Sequence, residues 1–541
     1  MLHNFSRNLS LIIAALFCAI ALTSVVNANN TDDVSANSDI LAELKSSLQS
    51  VIGKNKPIRS SDNRPNIVLF LADDTNWFDI GVYDRLYNYT PKNAITPNID
   101  ALAKEGMIFT SAFTSTAMCS PTRQQLYTGI YPVKSGAYPN HGDAYEGTKS
   151  LVHYFEDKGY QVALAGKGHI APRSVYPFKK IGVEAKDDSG ASTFGIEAVS
   201  DFIEDNQDKP FFLVIASHNT HGPWTRGDRS KYSAEDINVP SFMVDTPQFR
   251  NDLVRYYAEI SDLDHEVGLV NLALEKYNQK DETIFIFTSE HGAGMPFAKF
   301  TTYDAGLKVA FIMRWPQSIV ANTKSDSLIQ YVDVVPTLIE LIGGEAPINI
   351  DGRSFKNTIY DPKLSHRDFV FGVHTTRNIR GGSDYPIRSI RNKNHKLILN
   401  LMHENEFANS GTKGIKLGRG MLGDWYKAGL AGDKRALEKV ARVTKRPQME
   451  LYDVLKDPFE EYNIIGKPGS KKIVDELDYK LNEIICDVPP GLKLIPGGSG
   501  VLELMNLDSQ KRWDVIRSVG SLQDELDFLI VDTPAGASDS S

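Results

Sequence analysis

The sequence predicts an α/β fold on a mostly parallel central sheet, followed by a smaller C-terminal α+β domain with an antiparallel sheet. Three observations carry that expectation. Short β-branched or aromatic runs recur up to about residue 290, and each stops abruptly at ionisable residues. Helical patterns lie between those runs, and strand–helix alternation of this kind builds a parallel sheet. After about Asp361 the alternation fades, although isolated apolar runs persist.

Four runs are taken as strands. "NIVLFLADD" ends in Asp73 and Asp74, and "YQVALAGKGH" ends in Lys167 and His169. "PFFLVIASHNTH" ends in His218 and His221, and "TIFIFTSEHG" ends in Glu290 and His291. Continuous apolar runs of this length suit strands buried on both faces. Among the helices, "TPNIDALAKEGMIF" offers Thr96 as a cap and Pro97 at the first helical position. Its apolar face is expected to hold Ile99, Leu102, Ala103 and Met107. "NDLVRYYAEISDLDHEVGLVNLALEKYN" reads as one long amphipathic helix. Beyond Asp361, "HKLILNL" and "MELYDVL" read as strands, with a helical insert around Trp425 to Val443. Open parallel sheets bind ligands beyond the carboxyl ends of their strands. The four ionisable clusters are therefore expected to converge on one side.

The chain has 541 residues, 41 % of them hydrophobic, which supports a large core and two domains. Residues 1–28 read as a secretory signal, with Arg7 before an apolar run from Leu9 to Leu22 and a small-residue cleavage site at Val26-Asn27-Ala28. The alternative is an N-terminal anchor, for which the run is short. Export to the periplasm or the medium follows from the signal. Residues 29–64 form a polar leader, 65–365 the main domain, 366–490 the smaller domain, and 491–541 an extension ending in a disordered "AGASDSS". The formal net charge of -9 argues against nucleic acid as a partner. No later stretch is apolar enough to span a membrane.

Adjacent Asp73 and Asp74 at a strand end suit a hard divalent cation, or else a helix cap beside a solvated Asp. Glu290 offers a further oxygen, and His291 a ligand or an orienting partner of one. Cys119 and Cys486 are the two cysteines left after signal removal. They form a disulfide, or Cys119 is reactive or modified. Cys119 lies in "TSTAMCSPTRQQLYTG", just before an apparent helix. Helix N-termini favour anions, and Arg123 one turn further on adds a charge-assisted hydrogen bond.

Cys-x-Pro-x-Arg followed by Leu-x-Thr-Gly, here Cys119-Ser120-Pro121-Thr122-Arg123 and then Leu126-Tyr127-Thr128-Gly129, resembles the signature of the type I sulfatases. "NIVLFLADD", "TPNIDALAKEG", "AGKGH", "YYAEISDLDHEVG", "TSEHG", "TTYDAG" and "ELYDVLKDPFEEYNI" follow in the family's order. "GKGHIAPRSVYPF" and "DYPIRSIRNKNHKLILNL" place the resemblance closest to the N-sulfoglucosamine sulfohydrolase (sulfamidase) branch. The resemblance implies an alkaline-phosphatase-like sandwich whose catalytic domain is 65–365. It also implies oxidation of Cys119 to formylglycine by a formylglycine-generating maturation enzyme, so that the cysteine need not pair. Asp73, Asp74, Glu290 and His291, with an oxygen of modified Cys119, would hold Ca2+. The family usually has Asp where this chain has Glu290, and Asn or His where it has His291. Arg123 would stabilise the hydrated aldehyde and sulfate. Lys167 and Lys299 would grip sulfate oxygens, with Lys299 matched through the following "TTYDAG". His169 would contact the formylglycine hydroxyl and act as base. His221, in His-x-Pro, would bind sulfate and protonate the leaving group, with His218 as rival for that role.

Further residues have two readings each. His374, Arg377, Arg380 and Arg388 form a basic stretch that either reaches over the site to read a uronate carboxylate or second sulfate, or is a solvated face. His141 in "YPNHG" lines the pocket or merely turns, and His265 is structural. The implied substrate is an O-sulfated carbohydrate, either a glycosaminoglycan such as chondroitin, dermatan or heparan sulfate, or an algal polysaccharide. The rivals are a sulfamidase, a phosphoesterase of the same superfold, and a non-catalytic glycan-binding protein. Cys-x-Pro-x-Arg weighs against the phosphoesterase, which would use Ser or Thr. The intact Lys and His set weighs against the binder.

Overall fold

Asn66–Ala72 (β1) is NIVLFLA, and all seven residues are buried, as a strand covered on both faces requires. The computed structural model describes residues 64–485 apart from 90–92, 183–184 and 187–191. The expected signal at 1–28, the leader up to residue 63, the extension 491–541 and Cys486 lie outside the described residues.

β1 is central in a nine-stranded sheet. The other strands are Met107–Phe113 (β2), Gln161–Gly166 (β3), Lys179–Ile181 (β4), Phe211–Ala216 (β5), Thr283–Ser289 (β6), Lys308–Arg314 (β7), Thr323–Ser325 (β8) and Ile329–Gln330 (β9). The order is β8-β2-β7-β6-β1-β5-β3-β4, with β9 also on β2. β1 runs parallel to β5 and β6, and β3 parallel to β5, while β7 is antiparallel to β2 and β6. Leu71 stands level with Ala216, Ala72 with Ser289, and Gly166 with Ala216. That register brings four strand ends out side by side, each delivering its ionisable pair to the same edge.

Alternate residues of β1 face opposite layers. Val68 and Phe70 pack with Tyr256, Ile260 and Val267 of Pro247–Lys276 (α5). Ile67, Leu69 and Leu71 pack with Leu126 of Cys119–Thr128 (α2) and Leu338 of Val334–Leu341 (α6). The remaining helices of this part are Pro97–Glu105 (α1), Leu151–Glu156 (α3) and Ile196–Asp205 (α4). α5 starts where Thr246 accepts a hydrogen bond from the Phe249 amide (3.0 Å) and Pro247 fills the first turn.

Two expectations change. Met107 does not lie on the face of α1, because Gly106 takes up extended dihedrals (φ -135°, ψ -149°) and ends the helix. Met107 is instead the first residue of β2 and packs in the opposite layer from Ile99, Leu102 and Ala103. Thr96 also does not cap its own helix; its hydroxyl accepts from the Gly81 amide (3.0 Å) and faces Asp100.

A second sheet, fully antiparallel, has the order Val370–His374 (β10), Ile387–Arg391 (β11), His395–Asn400 (β12) and Met449–Asp453 (β13). Leu477 and Leu481 of Ser470–Ile485 (α9) cover Ile390, Leu397 and Leu451. Between β12 and β13 lie Gly420–Leu430 (α7) and Lys434–Thr444 (α8). Trp425 of α7 is fully buried, with its ring 5.7 Å from Phe249 of α5. The two sheets are tied by buried charge. Asp304 pairs with Arg391 and with Lys396, both at 2.8 Å, and Lys396 also pairs with Glu460 at 3.0 Å. Burial opposes the charge on Asp304, but Arg391 and Lys396 hold it well below the usual carboxylate range. Among the described residues no helix is long and apolar enough to cross a membrane.

Candidate active site

The turn after β2 is stitched by its own polar side chains. Thr122 donates to the Thr116 carbonyl (2.6 Å), and Ser115 to Gln125 Oε1 (2.6 Å). Every residue of α2 is buried, with Cys119 as its first residue. Gln124 secures the helix by donating to the Gly142 carbonyl (2.8 Å). Gly129, at φ +73°, ends it in the left-handed conformation that glycine adopts without strain. Cys119 therefore sits at a helix N-terminus at the ends of the parallel strands, and among the described residues it is a free thiol.

Around Sγ stand two ammonium groups and three imidazoles. Burial resists ionisation of the Cys119 thiol, but Lys299, Lys167 and hydrogen bonds from His169 and His221 hold it well below its usual range. His291 places a ring nitrogen within 4.8 Å of the sulfur. The position thus favours an anion, and Sγ stands where an oxygen of an oxidised side chain would be. Each cation has a carboxylate. Lys167 pairs with Asp73, and Lys299 bridges both oxygens of Asp74 (2.8 and 2.7 Å). Arg123 is fully buried and grips Glu290 with two bonds, Nε to Oε1 at 3.2 Å and Nη2 to Oε2 at 3.0 Å. Its third contact is the Lys167 carbonyl (3.2 Å). Burial raises Asp73, but the charges of Lys167 and Arg123 outweigh it and keep Asp73 ionised. Glu290 is pushed up to about 8, by burial first.

The donors of Asp74, Cys119, Glu290 and His291 all lie within 4.8 Å of one another. His291 Nδ1 donates to the Gly292 carbonyl (2.8 Å). That bond leaves the Nε2 lone pair buried and without a hydrogen-bond partner. Two carboxylates plus an imidazole lone pair fit a hard divalent cation. Asp73 stands beside this group rather than in it. Lys167 takes its Oδ2, while Oδ1 is buried without a hydrogen-bond partner, 3.6 Å from Arg123.

His221 Nδ1 donates to the Gly222 carbonyl (2.8 Å), so Nε2 faces Asp74 at 3.7 Å. Asp74 pushes His221 up to about 9. His169, at φ +52°, bonds His141 (Nε2 to Nδ1, 2.6 Å). Of its two readings, His141 takes the pocket-lining one.

The loop bearing His218 and His221 is held by one face of α5. Glu259 accepts the amides of Thr225 (2.6 Å) and Arg226 (3.0 Å). Glu266 accepts the Ser217 hydroxyl, and Arg226 reaches Asn219, Asp262 and Glu266. His265 of the same helix points to solvent, away from this loop. Burial raises Glu259 to about 7 and Glu266 to about 8. A raised folded-state value means that the fold holds the proton more tightly than the unfolded chain does. The stabilisation is complete below about 4.5, the unfolded value, and is lost as pH rises through 7 to 8. Thermal unfolding of Glu266→Gln, which stays neutral beside Asp262 and Arg226, is expected to show a smaller drop in Tm from pH 5 to pH 8 than the parent. An equal drop would mean that Glu266 is ionised throughout.

All this opens on a cleft of about 1130 Å³. Cys119, Lys167, His169, His221 and Lys299 line it, as does His218. Of the basic stretch, only Arg380 is on its wall. His374 is fully buried behind Phe300 and Phe407, and burial drives it down to about 3, so it is a neutral group and not an anion-binding cation. Arg388 is half-buried off the wall and donates to the Ile387 carbonyl (3.1 Å). Arg377 is exposed and contributes only its carbonyl, which accepts the Asn140 amide (3.2 Å). Asn140 of the "YPNHG" loop is on the wall with His141, and so are residues that the sequence did not single out: Trp224, Arg229, Arg255 and Arg446. Trp224 and Arg229 had a signal, since they follow His221 in "HGPWTRGDR". Arg446, in "VTKRPQ", had none.

The chain matches the sulfatase family model over residues 65–344 and the N-sulphoglucosamine sulphohydrolase C-terminal model over 289–409. An ulvan-active sulfatase of Formosa agariphila is 32 % identical over 455 residues, covering 82 % of this chain and 84 % of that protein. Human N-sulphoglucosamine sulphohydrolase is 27 % identical, covering 76 % of this chain and 88 % of its own. A solved structure of a protein with its substrate D-glucosamine-2-N,6-O-disulfate has a TM-score of 0.59 at 19 % identity, covering 78 % of this chain and 97 % of that one. The fold is the expected alkaline-phosphatase-like sandwich, with its mostly parallel sheet and separate antiparallel one. With more than half its length matched by the family model, and its closest motif built into the buried turn around Cys119, the chain belongs to the sulfatase family and is an enzyme of that kind.

Proposed function

We propose that this enzyme hydrolyses O-sulfate esters of a sulfated carbohydrate, using formylglycine made from Cys119 and a calcium ion held by Asp74, Glu290 and His291 with Asp73 beside them. The observation that carries the reading is the placement of Cys119. It begins a buried helix, faces Lys167, Lys299, His169 and His221, and lies on a cleft large enough for several sugar units. The printed activities of the relatives, on ulvan and on sulfated glucosamine, support a sulfated glycan. The generic character of the site residues favours O-sulfate over sulfamate. Export through the 1–28 signal, maturation by a formylglycine-generating enzyme, and the division at 365 belong to the same proposal.

Attack at sulfur builds negative charge on the transferring and leaving oxygens, and fixed cations stabilise it. A calcium ion held by Asp74, Glu290 and His291 would supply Lewis-acid charge at that point. Formylglycine at residue 119 would supply, as its hydrate, a nucleophilic hydroxyl and a second hydroxyl through which the aldehyde could be regenerated. Lys167 and Lys299 are placed to grip sulfate oxygens, once released from Asp73 and Asp74. Arg123 holds Glu290 and the turn in place. A proton on His221 Nε2 points at the reacting centre, which suits the acid that protonates the departing sugar oxygen. His169, supported by His141, suits the base.

The test is sulfate release, followed by ion chromatography, from O- and N-sulfated glycosaminoglycan and algal oligosaccharides. The protein is produced with a maturation enzyme and residue 119 is checked by peptide mass. Release from an O-sulfated sugar is expected, with loss of at least about 10⁴-fold in Cys119→Ala and on calcium chelation. Release from N-sulfated glucosamine alone would select the sulfamidase. Bound zinc in place of calcium would select the phosphoesterase. Binding without release, with the aldehyde present, would select the glycan-binding reading.

A further inference from the structure

Arg446 is 4 % exposed, yet it lies on the wall of the cleft. Its guanidinium stacks on Phe407 (4.2 Å) and Tyr303 (5.4 Å). Nε reaches the Val443 carbonyl at 3.4 Å, while Nη2 is buried without a hydrogen-bond partner among the described residues. The buried carboxylate of this region, Glu450, is already committed. It accepts Tyr303, Tyr452 and Asn400. The imidazole of His374 beside it is neutral, and Arg446 is one reason. A guanidinium cannot shed its charge, and a buried charge without a partner is strongly unfavourable. Stacking on rings fixes the plane of the fork and leaves one edge to bind a planar or tetrahedral oxyanion. Arg380 is exposed on the wall of the same cleft.

We propose that Arg446, assisted by Arg380, forms a second anion subsite, which reads a carboxylate or a second sulfate on the sugar chain that carries the scissile sulfate. This deepens the glycan reading above and rests on it. Nothing in the catalytic cluster needs Arg446, so it serves substrate choice and not bond breaking.

The experiment compares three O-sulfated disaccharides: one whose second sugar is a uronate, its carboxyl-reduced form, and a form with a second sulfate at that sugar. The parent is expected to prefer at least one anionic form over the reduced form by about 10- to 100-fold in kcat/KM, the scale of a charge-assisted hydrogen bond. Which anionic form is preferred tells carboxylate from sulfate. Arg446→Gln is expected to cut the preference to within about threefold, through KM, and Arg446→Lys to retain part of it. Arg380→Gln, at an exposed position where folding is not at stake, is expected to reduce the same ratio more modestly. Calorimetric binding of the three sugars to Cys119→Ala reads the subsite without turnover. Anion-dependent binding, with no sulfate released from any of the three sugars by the matured parent, would overturn the catalytic reading and leave the subsite standing. Equal binding of the reduced and anionic forms, or a preference unchanged in Arg446→Gln and Arg380→Gln, would overturn the subsite.

Discussion

His221→Ala is expected to lower kcat on a sulfated sugar by about 10³- to 10⁴-fold, but on an aryl sulfate with an acidic phenol by less than about tenfold. The difference follows from the leaving group. A sugar alkoxide is a strong base and departs only if protonated, whereas a nitrophenolate departs unaided. His221 is placed for this role because Nδ1 is tied to the Gly222 carbonyl and Nε2 faces Asp74 and Cys119. His218 lies on the same wall and offers its carbonyl to the His221 amide (2.8 Å). His218→Ala is therefore expected to give a smaller loss that does not vary with the leaving group. Rates across a series of aryl sulfates of graded phenol acidity decide between them. A steep leaving-group dependence in His218→Ala, with none in His221→Ala, would transfer the acid role to His218.

Much of this site was legible because strand ends are legible. An apolar run that stops at Asp73-Asp74 or Glu290-His291 locates the ends of β1 and β6, and parallel register then brings those ends together. Proximity across the sheet thus came from topology rather than from sequence distance. What was not legible depends on contacts that local pattern does not encode. Met107 continues the helical period of α1, but Gly106 turns the chain and converts it to a strand residue. His374 looks like part of a basic surface, but strand alternation turns it inward, where burial neutralises it. Arg446 belongs to none of the quoted motifs, and the packing of its guanidinium on Phe407 at the cleft is a contact that local pattern does not encode. Asp73 and Asp74 are indistinguishable as letters. The positive φ of Asp74 separates them, turning one toward His291 and Lys299 and leaving the other with Lys167 and Arg123.

Arg123→Met is expected to destabilise the protein by about 3–5 kcal/mol when measured by thermal or urea unfolding at about pH 9, above the raised value of Glu290, with a calcium chelator present. Arg123 and Glu290 are both fully buried, and the guanidinium offsets Glu290 through two bonds and Asp73 at 3.6 Å. Removing it strands a buried carboxylate, and stranding a buried charge costs more than a buried pair contributes. The sign of the rescue follows from the same reasoning. Glu290→Gln added to Arg123→Met removes the stranded charge and is expected to recover a large part of the loss, so the two changes are not additive. Calcium distinguishes an electrostatic origin from lost packing. The proposed calcium ion, held by Asp74, Glu290 and His291, would replace some of the missing positive charge, so the deficit of Arg123→Met is expected to narrow when calcium is added. A deficit that ignores both Glu290→Gln and calcium would mean that Arg123 acts through its volume and its bond to the Lys167 carbonyl, and that the carboxylates at this strand edge are balanced by Lys167 and Lys299 alone.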